Sequence, residues 1–171
     1  MSETTAASSG ASIAEEQAIF NLQRVYLRDC SLEIPSAPQV FIDSSEPRLE
    51  FQIDTSDQEL GQDLSEVSVR CTVTCRLGEN IGFLVEATQS AIFEIKGVTE
   101  EQRILLKGIS CPNIIYPYLR SNMADLVQRS SFPPVHLSEI NWEAFFQQKM
   151  SRLAAAAEQS NGSESGIILT Q

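Results

Sequence analysis

Four cysteines and a single histidine are the side chains of this 171-residue chain best suited to covalent or metal chemistry. Cys111 with His136 could make a thiol nucleophile and its base. That scheme needs a third, orienting group and a cationic setting that lowers the thiol pKa, and the surrounding CPNIIYPYLR supplies neither. Cys71 and Cys75, if they share a strand, lie about 13 Å apart, beyond the ~7 Å Cα limit of a disulfide. There is no CxxC pair, and one histidine leaves a zinc site short of ligands. No glycine-rich phosphate loop is present, so ATP use is not indicated. Cys30, Cys71, Cys75 and Cys111 are therefore read as reduced core residues of a cytoplasmic protein, with no catalytic residue, metal or cofactor expected.

What remains is charge and apolar surface. The formal net charge is −11, which repels a phosphate backbone. Partners are then basic surfaces, or apolar segments flanked by basic residues. The opening MSETTAASSGASIAEEQ has no cationic start and no apolar run, so it does not read as a signal peptide. No stretch approaches the ~18 apolar residues of a membrane span, and a soluble protein is expected. With 42% hydrophobic residues the chain can bury one sizeable core. The expected organisation is a disordered arm over 1–17, one domain over 18–158 and a flexible tail over 159–171, which carries the apolar Gly166-Ile167-Ile168-Leu169.

The elements follow from periodicity. Phe20, Leu22, Tyr26, Cys30 and Leu32 alternate with Asn21, Asp29, Ser31 and Glu33, interrupted at Arg24 and Arg28, and Pro35 and Pro38 close this strand. Leu49, Phe51 and Ile53 alternate with Glu50, Gln52 and Asp54, and Asp54 to Gln62 carries turn residues. The third strand is the clearest, with Val67, Val69, Cys71, Val73 and Cys75 on one face. After the turn Leu77-Gly78-Glu79-Asn80 a fourth runs from Ile81 to Ile95, with Phe83, Val85, Ala87, Ala91, Phe93 and Ile95 inward. Short sequential connections predict an antiparallel meander. Thr99 and Gln102 stand at capping-box spacing, and Gly108 reads as a stop. A long helix follows Pro112, with Pro117 in its first turn, and a last helix opens near Asn141. Its stripe is Trp142, Phe146, Met150, Leu153 and Ala157. The fold class is α+β: a four-stranded antiparallel meander sheet followed by helices packed on one side. Such a sheet is only partly covered, which favours association.

The stretch from Cys111 to Leu137, CPNIIYPYLRSNMADLVQRSSFPPVHL, gives one helix a Tyr-rich entrance and a Pro-rich exit. With FNLQRVYLRDCSLEIPSAP and VRCTVTCRLGENIGFLVEA it resembles the bacterial protein-export chaperone family SecB over about Phe20 to Leu153. The resemblance implies a homotetramer, a dimer of dimers, that holds unfolded precursor proteins without ATP and passes them to the translocase ATPase SecA. It implies that Asp29, Glu33, Leu84 and Glu86 bind the basic, zinc-containing tail of that motor. From the residues alone, the two acids of the first strand share one face, as do Leu84 and Glu86 of the fourth, and an acidic patch would steer a cationic peptide.

The family's substrate groove matches Phe20, Phe41, Leu49, Phe51, Ile53, Tyr118 and Phe146. A holdase needs such a lining because non-directional apolar burial tolerates many sequences. Two features depart from the family: Ser45 replaces the aromatic residue common before the crossover proline, and the tail is apolar where the family's is acidic and polar. The competing reading is a small-molecule-binding α+β module with a pocket beneath the sheet.

Overall fold

The Val67–Cys75 alternation lies at the heart of a four-stranded antiparallel sheet. The computed structural model describes residues 17–162. Its strands are β1 (Ile19–Glu33), β2 (Pro47–Gly61), β3 (Leu64–Leu77) and β4 (Asn80–Lys96), with a 3-10 turn at Gln39–Ile42 in the β1–β2 crossover. Helices follow: α1 (Glu100–Leu105), a π-turn at Leu106–Ser110, α2 (Cys111–Arg129) and α3 (Trp142–Gly162). The strand order is β1-β4-β3-β2.

The meander is therefore three strands, β2 to β4, and the expected pairing of the first strand with the second is corrected. β1 lies along β4 instead, from Ile19 opposite Lys96 to Glu33 opposite Leu84. The crossover with its 3-10 turn carries the chain across the end of the sheet, so local connection no longer decides pairing. Two register shifts, between Leu22 and Arg24 and between Leu27 and Asp29, mark bulges. Each reverses the alternation, which is why the arginines broke the pattern. Between the bulges Val25 and Leu27 turn to the helix side and Tyr26 to the open side, opposite Ala91, Gln89 and Ser90.

β2 extends to Gly61, well past the turn expected from Asp54. Its polar half pairs with β3 from Thr55 opposite Val69 to Glu59 opposite Ser65. Lys107, with a nearly buried side chain, holds it by donating to Asp57 at 2.8 Å and Glu59 at 2.7 Å. The turn falls at Gly61, Gln62 and Asp63, all at positive φ.

One face of the sheet is covered by α2. Val67, Val69, Cys71, Val73, Phe83, Val85, Phe93 and Ile95 meet Ile115, Tyr116, Leu119, Met123 and Val127 in one core. Each large side chain buried there contributes on the order of 1.5–3 kcal/mol. This packing occupies the sheet over β3 and β4, and it lends no support to the competing reading of a small-molecule pocket there.

Helical structure is continuous from Glu100 to Arg129, so neither Gly108 nor Pro112 stops it, against expectation. The capping box opens it as expected: the Gln102 amide donates to Thr99 Oγ1 at 3.2 Å, and the Thr99 amide to Gln102 Oε1 at 3.0 Å. The π-turn widens the backbone just before Pro112, where an α-turn would require an N–H that proline lacks. Pro117 lies inside α2 rather than in its first turn, and both it and Asn113 are exposed, which leaves the freed carbonyl open to solvent.

Cys71, Cys75 and Cys111 are buried free thiols, but Cys30 on the edge strand is exposed, which corrects its assignment to the core. Burial pushes the Cys71 and Cys111 thiols up to about 12. Cys111 is thus held as a buried, protonated thiol, and His136 is exposed. Iodoacetamide at neutral pH is expected to leave Cys71, Cys75 and Cys111 unmodified in the folded protein and to alkylate all three in denaturant. Peptide mass mapping checks this; native-state labelling of Cys111 would show an open core. Positions 1–16 of the expected arm and 163–171 of the expected tail lie outside the described residues; positions 159–162, expected to belong to the tail, instead continue α3.

Candidate functional site: an acidic sheet face and an apolar line along β2

Strict alternation gives the sheet two chemically distinct sides. On the open side, Asp29, Ser31 and Glu33 of β1 stand opposite Thr88, Glu86 and Leu84 of β4. All four residues matched to partner binding, Asp29, Glu33, Leu84 and Glu86, therefore share one face across two adjacent strands. Glu86 accepts from Thr72 Oγ1 at 2.8 Å, which orients its carboxylate on the surface. Arg28 is paired with Glu66 at 2.9 Å, and Arg70 lies 3.8 Å from Asp54. Among the described residues Asp29, Glu33 and Glu86 form no ion pair, although Arg28 and Arg70 border the same concavity as Asp29 and Glu86.

Asp29, Asp54, Arg70, Glu86 and Thr88 border a shallow concavity of about 470 Å³ on this face. Its foundation is a set that periodicity alone did not reveal. Tyr26 donates to Glu66, which also accepts from Arg28, and Ser68 and Ser90 hydrogen-bond at 2.7 Å. The bond to Glu66 holds the Tyr26 phenol above its usual range, with burial adding to it. Glu66 is only 8% exposed although it stands on the open side, because these partners cover it. The breaks in alternation at Arg24 and Arg28 were the available signal, since the bulges there put Tyr26 on this side.

On the helix side, β2 lies at the margin of the core, with Ile53 partly buried against it. Leu49, Phe51 and Ile53 face Cys75, Val73 and Cys71 across the β2–β3 ladder, yet Leu49 and Phe51 are 41% and 51% exposed. Phe51 and Ile53 line a cavity of about 200 Å³ with Tyr116, His136, Leu137 and Ile140. A second cavity, of about 240 Å³, follows along the same strand from Thr55 to Asp57, closed by Ile104, Gly108, Phe146, Met150 and Leu153. Lys149 ties α3 to the strand there, donating to the Thr55 carbonyl at 2.5 Å and to Thr55 Oγ1 at 2.9 Å. Asn141 opens α3 as expected, accepting from the Ala144 amide at 3.0 Å. Trp142 and Phe145 anchor its start, the indole edge-on to Tyr116 at 5.4 Å and to Phe145 at 5.5 Å.

The seven groove positions are thus not one cluster within a chain. Leu49, Phe51, Ile53 and Phe146 follow β2, with Phe51 and Phe146 in successive cavities. Phe41 lies in the crossover, its ring 5.7 Å from Phe132, which in turn packs against Phe83 at 5.1 Å. Tyr118 is exposed on α2. Phe20 stacks on Phe93 at 5.6 Å on β1, the opposite edge of the sheet, with β4 and β3 between it and β2. His136, Leu137, Ile140 and Ile104 complete the cavities; they come from a loop and a short helix without periodicity to single them out.

A family model described as "Preprotein translocase subunit SecB" matches residues 13–153. The chain belongs to the SecB family. It is 48% identical to the protein-export protein SecB of Janthinobacterium sp. (strain Marseille), covering 90% of this chain and 92% of that one. It is 47% identical, over the same shares, to the SecB of Herminiimonas arsenicoxydans. Among solved structures, the fold resembles that of a SecB-like chaperone from Mycobacterium tuberculosis in complex with a ChAD peptide from the HigA1 antitoxin. That match has a TM-score of 0.59 at 16% identity, covering 71% of this chain and 90% of the other. The protein is accordingly a protein-export chaperone of the SecB family. None of its described helices is long and apolar enough to cross a membrane.

Proposed function

We propose that this SecB-family chaperone holds unfolded precursor proteins along the apolar line of β2, without nucleotide and without catalysing a reaction. It passes them to the translocase ATPase SecA through the acids of the opposite sheet face, in the cytoplasm. The observation that carries this reading is the half-exposed pair Leu49 and Phe51, with Ile53 partly buried beside them, a row that continues into cavities lined by α3 and the Ser130–Asn141 connection. Apolar side chains left in contact with solvent beside a concave wall bind extended apolar segments by area, with little demand on sequence. Asp29, Glu33 and Glu86, with Leu84 among them, offer a cationic tail charge and one apolar contact.

The test is aggregation of a denatured precursor on dilution, followed by light scattering with no nucleotide present. Suppression at near-stoichiometric chaperone is expected; scattering unchanged from the precursor alone would remove the holdase reading.

The same chaperone is proposed to be a homotetramer, a dimer of dimers. Ile19, Phe20, Leu22 and Leu27 are exposed along the edge strand β1, which also presents unpaired backbone groups. Those residues serve association in this reading, so Phe20 reaches the client surface, if at all, only through a second chain. Tyr118 and the outer side of α2 supply the contact between dimers. Multi-angle light scattering is expected to give about four times the 18.9 kDa chain mass, and a monomer at micromolar concentration overturns it.

A further inference from the structure

The cavity beside Phe146 opens onto a broader apolar strip. Ile104 and Leu105 of α1 and Met150 and Leu153 of α3 are all 41–55% exposed, and no described residue covers them. The cavity follows α3 from Phe146 to Leu153, and the helix continues to Gly162. A few residues further on the sequence reads Gly166-Ile167-Ile168-Leu169, the one aliphatic run of an otherwise polar tail. That run lies beyond the residues matched by the family model, which stop at 153.

Reach decides whether the two can meet. From Leu153 to Gly162 α3 rises about 14 Å at ~1.5 Å per residue. From Gly162 to Ile167 an extended chain spans up to about 17 Å. Ile167 can therefore double back as far as Leu153, and Leu169 as far as Met150, and the intervening sequence Ser163-Glu164-Ser165-Gly166 is of turn-forming composition. Aliphatic side chains meet an aliphatic and aromatic lining, the kind of burial by which a client segment would bind.

We propose that Ile167, Ile168 and Leu169 fold back along α3 and occupy this groove as a tethered stand-in for a client segment. The competition with clients rests on the groove reading given above; the docking itself does not. A short flexible tether holds such a segment at an effective concentration in the millimolar range, so even weak intrinsic affinity fills the groove until a longer client displaces it. The tail then shields apolar surface in the idle chaperone and sets a threshold that weakly apolar segments fail to cross.

The test replaces Ile167, Ile168 and Leu169 by serine in the full chain, which leaves every described residue intact. Hydrogen exchange of the α3 amides from Phe146 to Leu153 is compared with the parent, without client. Faster exchange in the variant is expected, and Leu153→Asp should reproduce it with the tail present. Client affinity of the triple variant should rise about two- to ten-fold, as expected when a millimolar-range competitor is removed. Identical exchange in parent and triple variant overturns the proposal. So does protection that depends on protein concentration and not on the tail, since a second copy then covers the groove. Faster exchange with unchanged client affinity upholds the docking and instead removes this groove from the client path.

Discussion

Asp29→Lys combined with Glu86→Lys is expected to weaken binding of SecA's basic tail by about 2–4 kcal/mol, while client holding stays at the level of the parent. The expectation follows from the open face. Asp29 and Glu86 stand on adjacent strands of one side, and neither forms an ion pair among the described residues. Both carboxylates are therefore available to an incoming cationic partner. Reversal removes two attractive charges and sets two cations against a cationic tail, which slows encounter and speeds release. Folding should change little, because Asp29 is exposed and Glu86 gives up only the bond from Thr72. The double variant changes the net charge from −11 to −11 + 4 = −7. Glu101→Lys with Glu143→Lys makes the same change on the helices and serves as the control for long-range steering. Titration calorimetry of a synthetic tail peptide against both variants reads the result. Normal binding by the sheet variant, or equal loss in both, would withdraw the acidic-face assignment.

The acidic face was legible in the sequence because a strand's period is two, and β4 keeps that period without a break from Leu84 to Glu94. β1 does not keep it. Its bulges move Tyr26 to the open side and Val25 to the core side, and a reader of alternation alone assigns both wrongly. Its pairing with β4 rather than β2 was hidden for a different reason: the crossover releases the first strand from its neighbour in sequence, and either edge of the β2–β4 meander was open to it. The unbroken helix from Glu100 to Arg129 was obscured by glycine and proline, which usually mark ends. Here Gly108 serves close approach instead. A Cβ at that position would lie 2.3 Å from Phe146 Cδ2, so the missing side chain lets α3 seat its ring on the π-turn. Polar residues misled in the same way over Asp54–Gly61, where Lys107, distant in sequence, supplies the charge that holds Asp57 and Glu59. The groove was legible only in part. Leu49, Phe51 and Ile53 announce an apolar face, but which half of that face α2 leaves uncovered is decided by packing, and no local pattern records it.

Phe51 and Phe146 were equivalent as sequence positions and are not equivalent in the fold, so a polar replacement at each should give opposite signatures. Phe51 is half exposed on β2, and its ring borders a cavity open to solvent. In Phe51→Gln the amide stays hydrated, and stability is expected to fall by under ~1 kcal/mol. The exposed half of a phenyl ring offers a client on the order of 80–100 Å² of apolar contact, about 2 kcal/mol, or roughly a thirty-fold loss of affinity when it is removed. Phe146 is more buried and fills the space Gly108 leaves open against the π-turn. Phe146→Gln empties that seat and presents an amide to it, so a loss of about 2–3 kcal/mol is expected, with α3 loosened from β2. Client affinity then falls as a consequence of the displaced helix, and a smaller apolar replacement, Phe146→Leu, should restore most of both properties. Thermal unfolding and client titration on the three variants separate the roles. If Phe51→Gln kept full client affinity with its stability unchanged, β2 would be ordinary exposed surface, and the apolar line along it would no longer support a client groove.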